Sequence, residues 1–261
     1  MLGSVFKKTL YDQRKMFAWW LLAIVGVSLV YVASYKQFAE AGMLETNVPE
    51  YLSALMGRLD YTSAAGYLNS TFFTMIGAWM MVIFSLTVGA RAIAGDEESG
   101  MLDVLLAHPV SRTRFVLERS GALAAAAALF GLAAWVSVSL SSLFAEMGIP
   151  LVNIGAACFG LALLGMVFGS LALAVGAFTG RTSLAIGVTT GVALAAFLAN
   201  NLAPMLEYLD VAQKFSPFYY YLGNDPLREG FDAGGSAVLV AAGLVLAALA
   251  VWGLNRRDVS I

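Results

Sequence analysis

Six stretches of this 261-residue chain contain no Asp, Glu, Lys or Arg: residues 16–35, 61–90, 120–145, 147–180, 182–206 and 233–255. The shortest of them is 20 residues long. A helix needs about 20 mainly apolar residues to cross the hydrocarbon core of a bilayer. Only helices and closed barrels satisfy their own backbone polar groups there. A soluble chain would carry about a quarter charged residues, whereas this one has 12%, against 60% hydrophobic. The expected fold is therefore all-α: a polytopic integral membrane protein with six transmembrane helices in a single domain over 1–261. The spans are expected at approximately 16–35, 70–92, 119–145, 151–179, 183–203 and 235–254.

Between the third and fourth spans the only charge is Glu146, followed by Gly148 and Pro150. A carboxylate at the bilayer centre costs about 2.5–3.5 kcal/mol on insertion scales. A surface hairpin over Glu146-Met147-Gly148-Ile149-Pro150 avoids that cost and supplies the breakers. Gly180-Arg181-Thr182-Ser183 makes the next short turn by the same logic.

Six spans put both termini on one side, with segment 91–119 and the Arg181 turn. That side carries 11 of the 15 basic residues; the other holds Lys36, Arg58, Lys214 and Arg228. The positive-inside rule then expects a multi-pass protein of the plasma membrane with both termini cytoplasmic. The net charge of −2 hides a split of +4 inside (11 bases, 7 acids) and −6 outside (4 bases, 10 acids). Ala39-Glu40-Ala41 resembles a signal-peptide cleavage box, but the first run exceeds the roughly 7–15 residues of a signal h-region. A retained span is expected. The lone Cys158 falls inside the fourth span, where packing is its expected role.

Residues 3–16, GSVFKKTLYDQRKM, mix apolar and basic positions as an amphipathic helix on the membrane surface would. A plain basic topology anchor accounts for them equally well. The outside loop 36–60 contains another amphipathic piece, PEYLSALMGRLD. The connection 201–235 is too apolar for a free loop: Leu206, Leu209, Val211 and Phe215 precede the aromatic run Phe218 to Tyr221. External re-entrant helices, their irregular backbone covered by protein or water, are expected there. Gly165-x-x-x-Gly169 and Gly187-x-x-x-Gly191 allow close helix approach, expected within the subunit rather than across a dimer.

No G-x-x-x-x-G-K-[ST] loop occurs, so the chain has no P-loop for ATP. H-E-x-x-H is also missing, and one His with one Cys cannot make a usual zinc site, so no metal ligands are assigned. No ionisable residue falls deep in a span, where proton-driven pumps and voltage sensors need one.

One segment breaks the apolar pattern. Between Ala94 and Phe115 lie Asp96, Glu97, Glu98, Asp103, Arg112, Arg114 and the only histidine, His108. The three carboxylates are expected to open a short amphipathic helix, where they suit the positive end of its dipole. Leu102, Leu105 and Leu106 recur at helical spacing to give its apolar face. Pro109 stops it, Ser111 caps the third span, and Arg114 and Glu118 form an i, i+4 pair. An ordinary solvated loop bearing topology charges is the plain alternative.

The stretch AIAGDEESGMLDVLLAHPVSRTRFVLER resembles the cytoplasmic loop of type-2 ATP-binding-cassette (ABC) export permeases. The pattern in that family is an acidic pair, Gly, Leu, Leu-Leu and Pro-[Val/Ile]-Ser-Arg. It falls here on Glu97, Glu98, Gly100, Leu102, Leu105, Leu106, Pro109, Val110, Ser111 and Arg112. SPFYYYLGNDPLREGFD is similar to the external segment before the last span in that family, and NRRDVSI to its short tail. Asp96, which extends the acidic pair, and His108 are slight departures.

The resemblance implies the transmembrane permease subunit of an ATP-driven exporter, not itself an enzyme. The loop would carry a cytoplasmic coupling helix, with Asp96, Glu97, Glu98, Gly100, Leu102, Leu105, Leu106, Pro109, Ser111 and Arg112 as its docking set. Two copies of an ABC ATPase would bind there and hold the ATP and Mg, so this chain binds no cofactor itself. The remaining implied partners are membrane lipid and a second permease, either another copy (homodimer) or a sister chain (heterodimer). Nucleic acid is not among them.

The second and fifth spans flank the pathway in that family. Candidate substrate contacts are therefore Phe72, Phe73, Ile76, Trp79, Met80, Ile83, Thr190, Phe197, Asn200 and Asn201. Their character suits a hydrophobic or amphiphilic cargo such as a drug, antibiotic, lipid or peptide. Export of an ion or metal-linked substrate is the alternative, hinted at by Met75, Met80 and Met81. A non-transport membrane scaffold or immunity factor is the other.

Overall fold

The computed structural model describes residues 14–40, 63–101, 111–203 and 210–257. Five long helices come first: α1 (Arg14–Glu40), α2 (Ala64–Glu98), α3 (Arg112–Phe144), α4 (Leu151–Thr179) and α5 (Thr182–Leu202). Three short helices follow, α6 (Asp210–Lys214), α7 (Pro217–Leu222) and α8 (Pro226–Glu229), and then the long α9 (Ala233–Arg256). There is no strand among the described residues. Six of these helices are long and apolar enough to cross a membrane, and they lie over the six charge-free runs. The expected surface helix at 3–16 and outside loop 36–60 fall almost entirely outside the described residues. So does the apolar face of the loop helix, with Leu102, Leu105, Leu106 and Pro109.

Helix α4 is the axis of the bundle. It is the most enclosed span, with 72% of its most apolar window buried, against 17% for α1 and 22% for α5. Composition explains the position, because small residues let several neighbours come close. A side chain at Gly169 would drive into Leu123 of α3 and the Ser85 carbonyl of α2, and one at Gly165 into Met81 and Ser85. A Cβ on Gly89 would overlap the Gly169 carbonyl. Lipid tails are as apolar as leucine, so such close packing, rather than apolar burial, holds membrane helices together. The Gly165/Gly169 pair thus serves packing within the chain, as expected. Gly187 and Gly191 on α5 meet nothing within 4 Å.

Both expected hairpins form. Glu146 and Gly148 take positive φ (54° and 69°) between α3 and α4, and Ala145 and Met147 donate to the carbonyls of Ser141 and Ser142. Gly180, at φ 64°, is left-handed, and with Arg181 it makes the whole α4–α5 corner. Helix α1 runs antiparallel to α2, with Phe17 against Phe84 near one end and Tyr35 against Tyr67 near the other. Its polar tie is to α3, where Ser28 and Ser137 share a hydrogen bond and Ser137 Oγ donates to the Val25 carbonyl.

One local expectation is corrected. Asp96, Glu97 and Glu98 do not open a helix; they end α2, which runs unbroken from Ala64 to Glu98. A π-helical segment over Arg91–Gly95 carries the chain through Gly95 with helical dihedrals, and the helix stops at Ser99 and Gly100 (φ 69°). The carboxylates therefore sit at the negative end of a helix dipole, an unfavourable place. Outside partners must offset it.

Candidate functional site

Those partners are close at hand. Arg119 of α3, only 4% exposed, forms an ion pair with Asp96, and its guanidinium lies 5.1 Å from the Phe115 ring centroid. Arg257 grips Glu97 with a two-pronged fork, at 2.6 Å from Nη2 to Oε1 and 3.0 Å from Nη1 to Oε2. The same guanidinium donates to the Ala177 carbonyl at the end of α4 (3.2 Å). Glu98 Oε1 accepts a hydrogen bond from the Thr182 backbone N–H, the first of α5 (2.8 Å). Three successive carboxylates thus hold α3, the end of α9 with α4, and α5.

The far side of the loop returns to the same knot. Ser111 caps α3 as expected, accepting from Arg114 N (3.3 Å), and Arg114 pairs with Glu118 at 3.0 Å. Arg112 turns the other way, donating to the carbonyls of Leu254 (3.2 Å) and Arg257 (2.8 Å). A cation on the last carbonyls of a helix satisfies groups that the helix leaves open. Entry and exit of loop 99–111 are therefore anchored on one polar cluster, seated on Ile93, Phe115, Val116, Leu173 and Leu254. Of the expected docking set, Asp96, Glu97, Glu98 and Arg112 meet in this cluster. Gly100 ends α2 just beyond it and Ser111 starts α3.

Sequence reasoning placed Thr182 in the α4–α5 turn and counted Arg119 and Arg257 only as topology charges, without a contact for any of the three. The NRRDVSI tail was the available signal for Arg257, since it recurs with the acidic loop. Nothing in sequence spacing marked the amide of Thr182.

The pathway candidates divide by burial. Phe72, Phe73, Phe197 and Asn201 are buried inside the chain, while Ile83 (46% exposed) and Thr190 face outward. Ile76, Trp79, Met80 and Asn200 are half-buried. Trp79 and Phe197 bring α2 and α5 together at 5.3 Å between ring centroids. Phe218 of α7 packs against both, at 6.2 and 5.4 Å, and against Phe168 of α4 at 5.5 Å. It was hidden in the aromatic run before the last span. Ile76, Met80 and Ile83 follow one another on α2 at helical spacing, and Thr190 stands beside the open Gly187 and Gly191 of α5. Met81 is fully buried, its sulfur accepting from Ser85 Oγ (3.4 Å).

At the opposite end, α7 and α8 cover the bundle. Asn153 of α4 donates to the carbonyls of Leu227 and Arg228, both at 3.0 Å. Ser216 Oγ donates to the Ala196 carbonyl (2.9 Å), and Tyr221 Oη to that of Phe73 (3.2 Å). Burial pushes the Tyr221 phenol well above its ordinary range, which keeps the proton on the donor.

Comparison with known proteins agrees with this architecture. The chain is 28% identical over 250 residues to the probable ABC transporter permease protein NosY of Pseudomonas aeruginosa, covering 89% of this chain and 85% of that protein. It is 26% identical over 249 residues to the protein of the same name from Stutzerimonas stutzeri, with the same coverage. A family model described as ABC-2 family transporter protein matches residues 4–259. With six apolar helices and no strand among the described residues, the chain belongs to the ABC-2 transporter family, as a multi-pass permease subunit.

Proposed function

We propose that this permease exports a hydrophobic or amphiphilic molecule, driven by a separate ATPase that docks on loop 96–112. The observation that carries the reading is the knot at the root of that loop. A push on the loop reaches α3, α4, α5 and α9 through Asp96–Arg119, Glu97–Arg257, Glu98–Thr182 and Arg112 at the tail. Rigid-body tilting of packed helices is a known way to turn such a push into a switch between two states. The basic-residue count supports a cytoplasmic knot. Ile76, Met80, Ile83 and Thr190, on the outward faces of α2 and α5, offer the apolar wall with one hydroxyl that an amphiphile suits. Two ATPases and a second permease complete the assembly in this reading.

Co-purification with the partner ATPase, followed by ATP hydrolysis in liposomes with candidate cargoes, tests the proposal. Retention of the ATPase and stimulation by an amphiphile are expected, with no hydrolysis by the permease alone. Cysteines at Ser183 and Lys214 add a topology check: only the second should react with an impermeant thiol reagent on intact cells. Labelling at Ser183 instead, or no retention of the ATPase, would overturn the reading.

A further inference from the structure

We infer that Glu98 is a handle for α5: a helix cap supplied from the loop root, which makes α5 the span that follows the loop. Helix α5 begins without a cap of its own. Its N-cap position is Arg181, whose side chain makes no capping bond, and Thr182 Oγ1 is buried without a hydrogen-bond partner. Glu98 Oε1, 84 residues away in sequence, accepts from the first helical amide instead. A carboxylate there meets both an open N–H and the positive end of the α5 dipole.

Glu97 and Glu98 bracket the two-residue corner between α4 and α5. Through Arg257, Glu97 is tied to the α4 side, at the Ala177 carbonyl, while Glu98 is tied to the α5 side. The two sides differ in freedom. Within this chain the apolar stretch of α4 is 72% buried and that of α5 22%, so α5 has far less packing inside the subunit to resist displacement. When the last turn of α2 moves, α4 stays with the bundle and α5 is drawn by its first amide. As a link in transport the handle rests on the reading above; as a tether it can be tested in the permease alone.

Thr182→Pro is the cleanest perturbation. It removes the donated N–H at the first helical position, where proline is well tolerated. Arg181 already has the extended dihedrals (φ −123°, ψ 115°) that a following proline requires. Spin labels at the exposed positions Thr113 of α3 and Ser183 of α5, in a Cys158→Ala background, report the distance between the two helix starts. In lipid nanodiscs the otherwise unaltered chain should give one narrow distance. Thr182→Pro and Glu98→Ala should broaden it, and Glu98→Gln, which keeps an acceptor, should largely preserve it.

Arg181→Asp added to Glu98→Ala supplies a local cap. It should restore slow amide exchange in the first turn of α5 but leave the distance broad. A narrow distance in Thr182→Pro, or its return on adding Arg181→Asp, would overturn the inference, because Glu98 would then be no more than a stabiliser of the helix end. With the ATPase present, Thr182→Pro should retain the partner yet lose cargo-stimulated hydrolysis by about tenfold or more, the worth of one charge-assisted hydrogen bond. Undiminished stimulation would refute the transport role. An unaltered chain that fails to retain the ATPase would sink the coupling reading, while the nanodisc distances would still decide the tether.

Discussion

Gly180→Ala tests the knot where it is most crowded. Gly180 has φ 64°, and a Cβ there would lie 2.5 Å from both Arg257 Nη2 and Glu97 Oε1. The backbone conformation alone costs a residue with a side chain about 1–2 kcal/mol. Displacing the fork adds less: both side chains are 25% exposed, and partly exposed pairs contribute about 0–1 kcal/mol. Losing the Arg257 bond to the Ala177 carbonyl leaves a helix-end group open, another ~1 kcal/mol. The expected total is about 2–4 kcal/mol. Unfolding of the purified permease by SDS in mixed micelles, followed by circular dichroism, measures it. Gly187→Ala is the control, since nothing lies within 4 Å of that position; it should be neutral or slightly stabilising, alanine being the better helix former. If Gly180→Ala unfolds at the same SDS fraction as the unaltered chain, the Glu97–Arg257 pair does not sit on this corner. The account of the knot would then fail.

Two further outcomes follow from packing. Arg119→Met should cost up to about 3 kcal/mol in the same assay, the low end for breaking a buried pair, because Asp96 keeps 22% exposure; adding Asp96→Asn should recover part of the loss. Ser28→Ala removes the shared bond with Ser137 that ties α1 to α3 and should cost about 0.6 kcal/mol, the average for such bonds between membrane helices.

The spans were legible because absence of charge over 20 or more residues is a long, redundant signal. Gly148 and Gly180 announced their turns for a similar reason: a positive φ has few tenants. Loop motifs pointed to the family through residue identity, and the match over residues 4–259 agrees. What the sequence did not disclose was where α2 ends. The carboxylates after Gly95 read as the start of a new helix, but the π-helical segment over Arg91–Gly95 continues into them with the backbone still helical. That continuity places the carboxylates at the wrong dipole end and sends them to look for partners. The partners are 23, 160 and 84 residues away, beyond the reach of any local pattern. The aromatic contact of Trp79 with Phe197 was half visible, since both were pathway candidates. Its third member, Phe218, required the chain to fold back over the bundle.

The lengths of α2 and α5 make the bilayer a participant. At 21 residues, α5 is about 32 Å long, close to the roughly 30 Å of hydrocarbon around it. Helix α2, at 35 residues, is about 50 Å long, so its ends stand clear of the hydrocarbon at any tilt up to about 40°. Tilting α5 by about 20° shortens its projected height by about 2 Å, and mismatch costs fractions of a kcal/mol per ångström. That resistance acts on α5 and hardly at all on α2. A thicker membrane would hold α5 upright and a thinner one would let it lean, so lipid chain length becomes a soft spring acting against the loop.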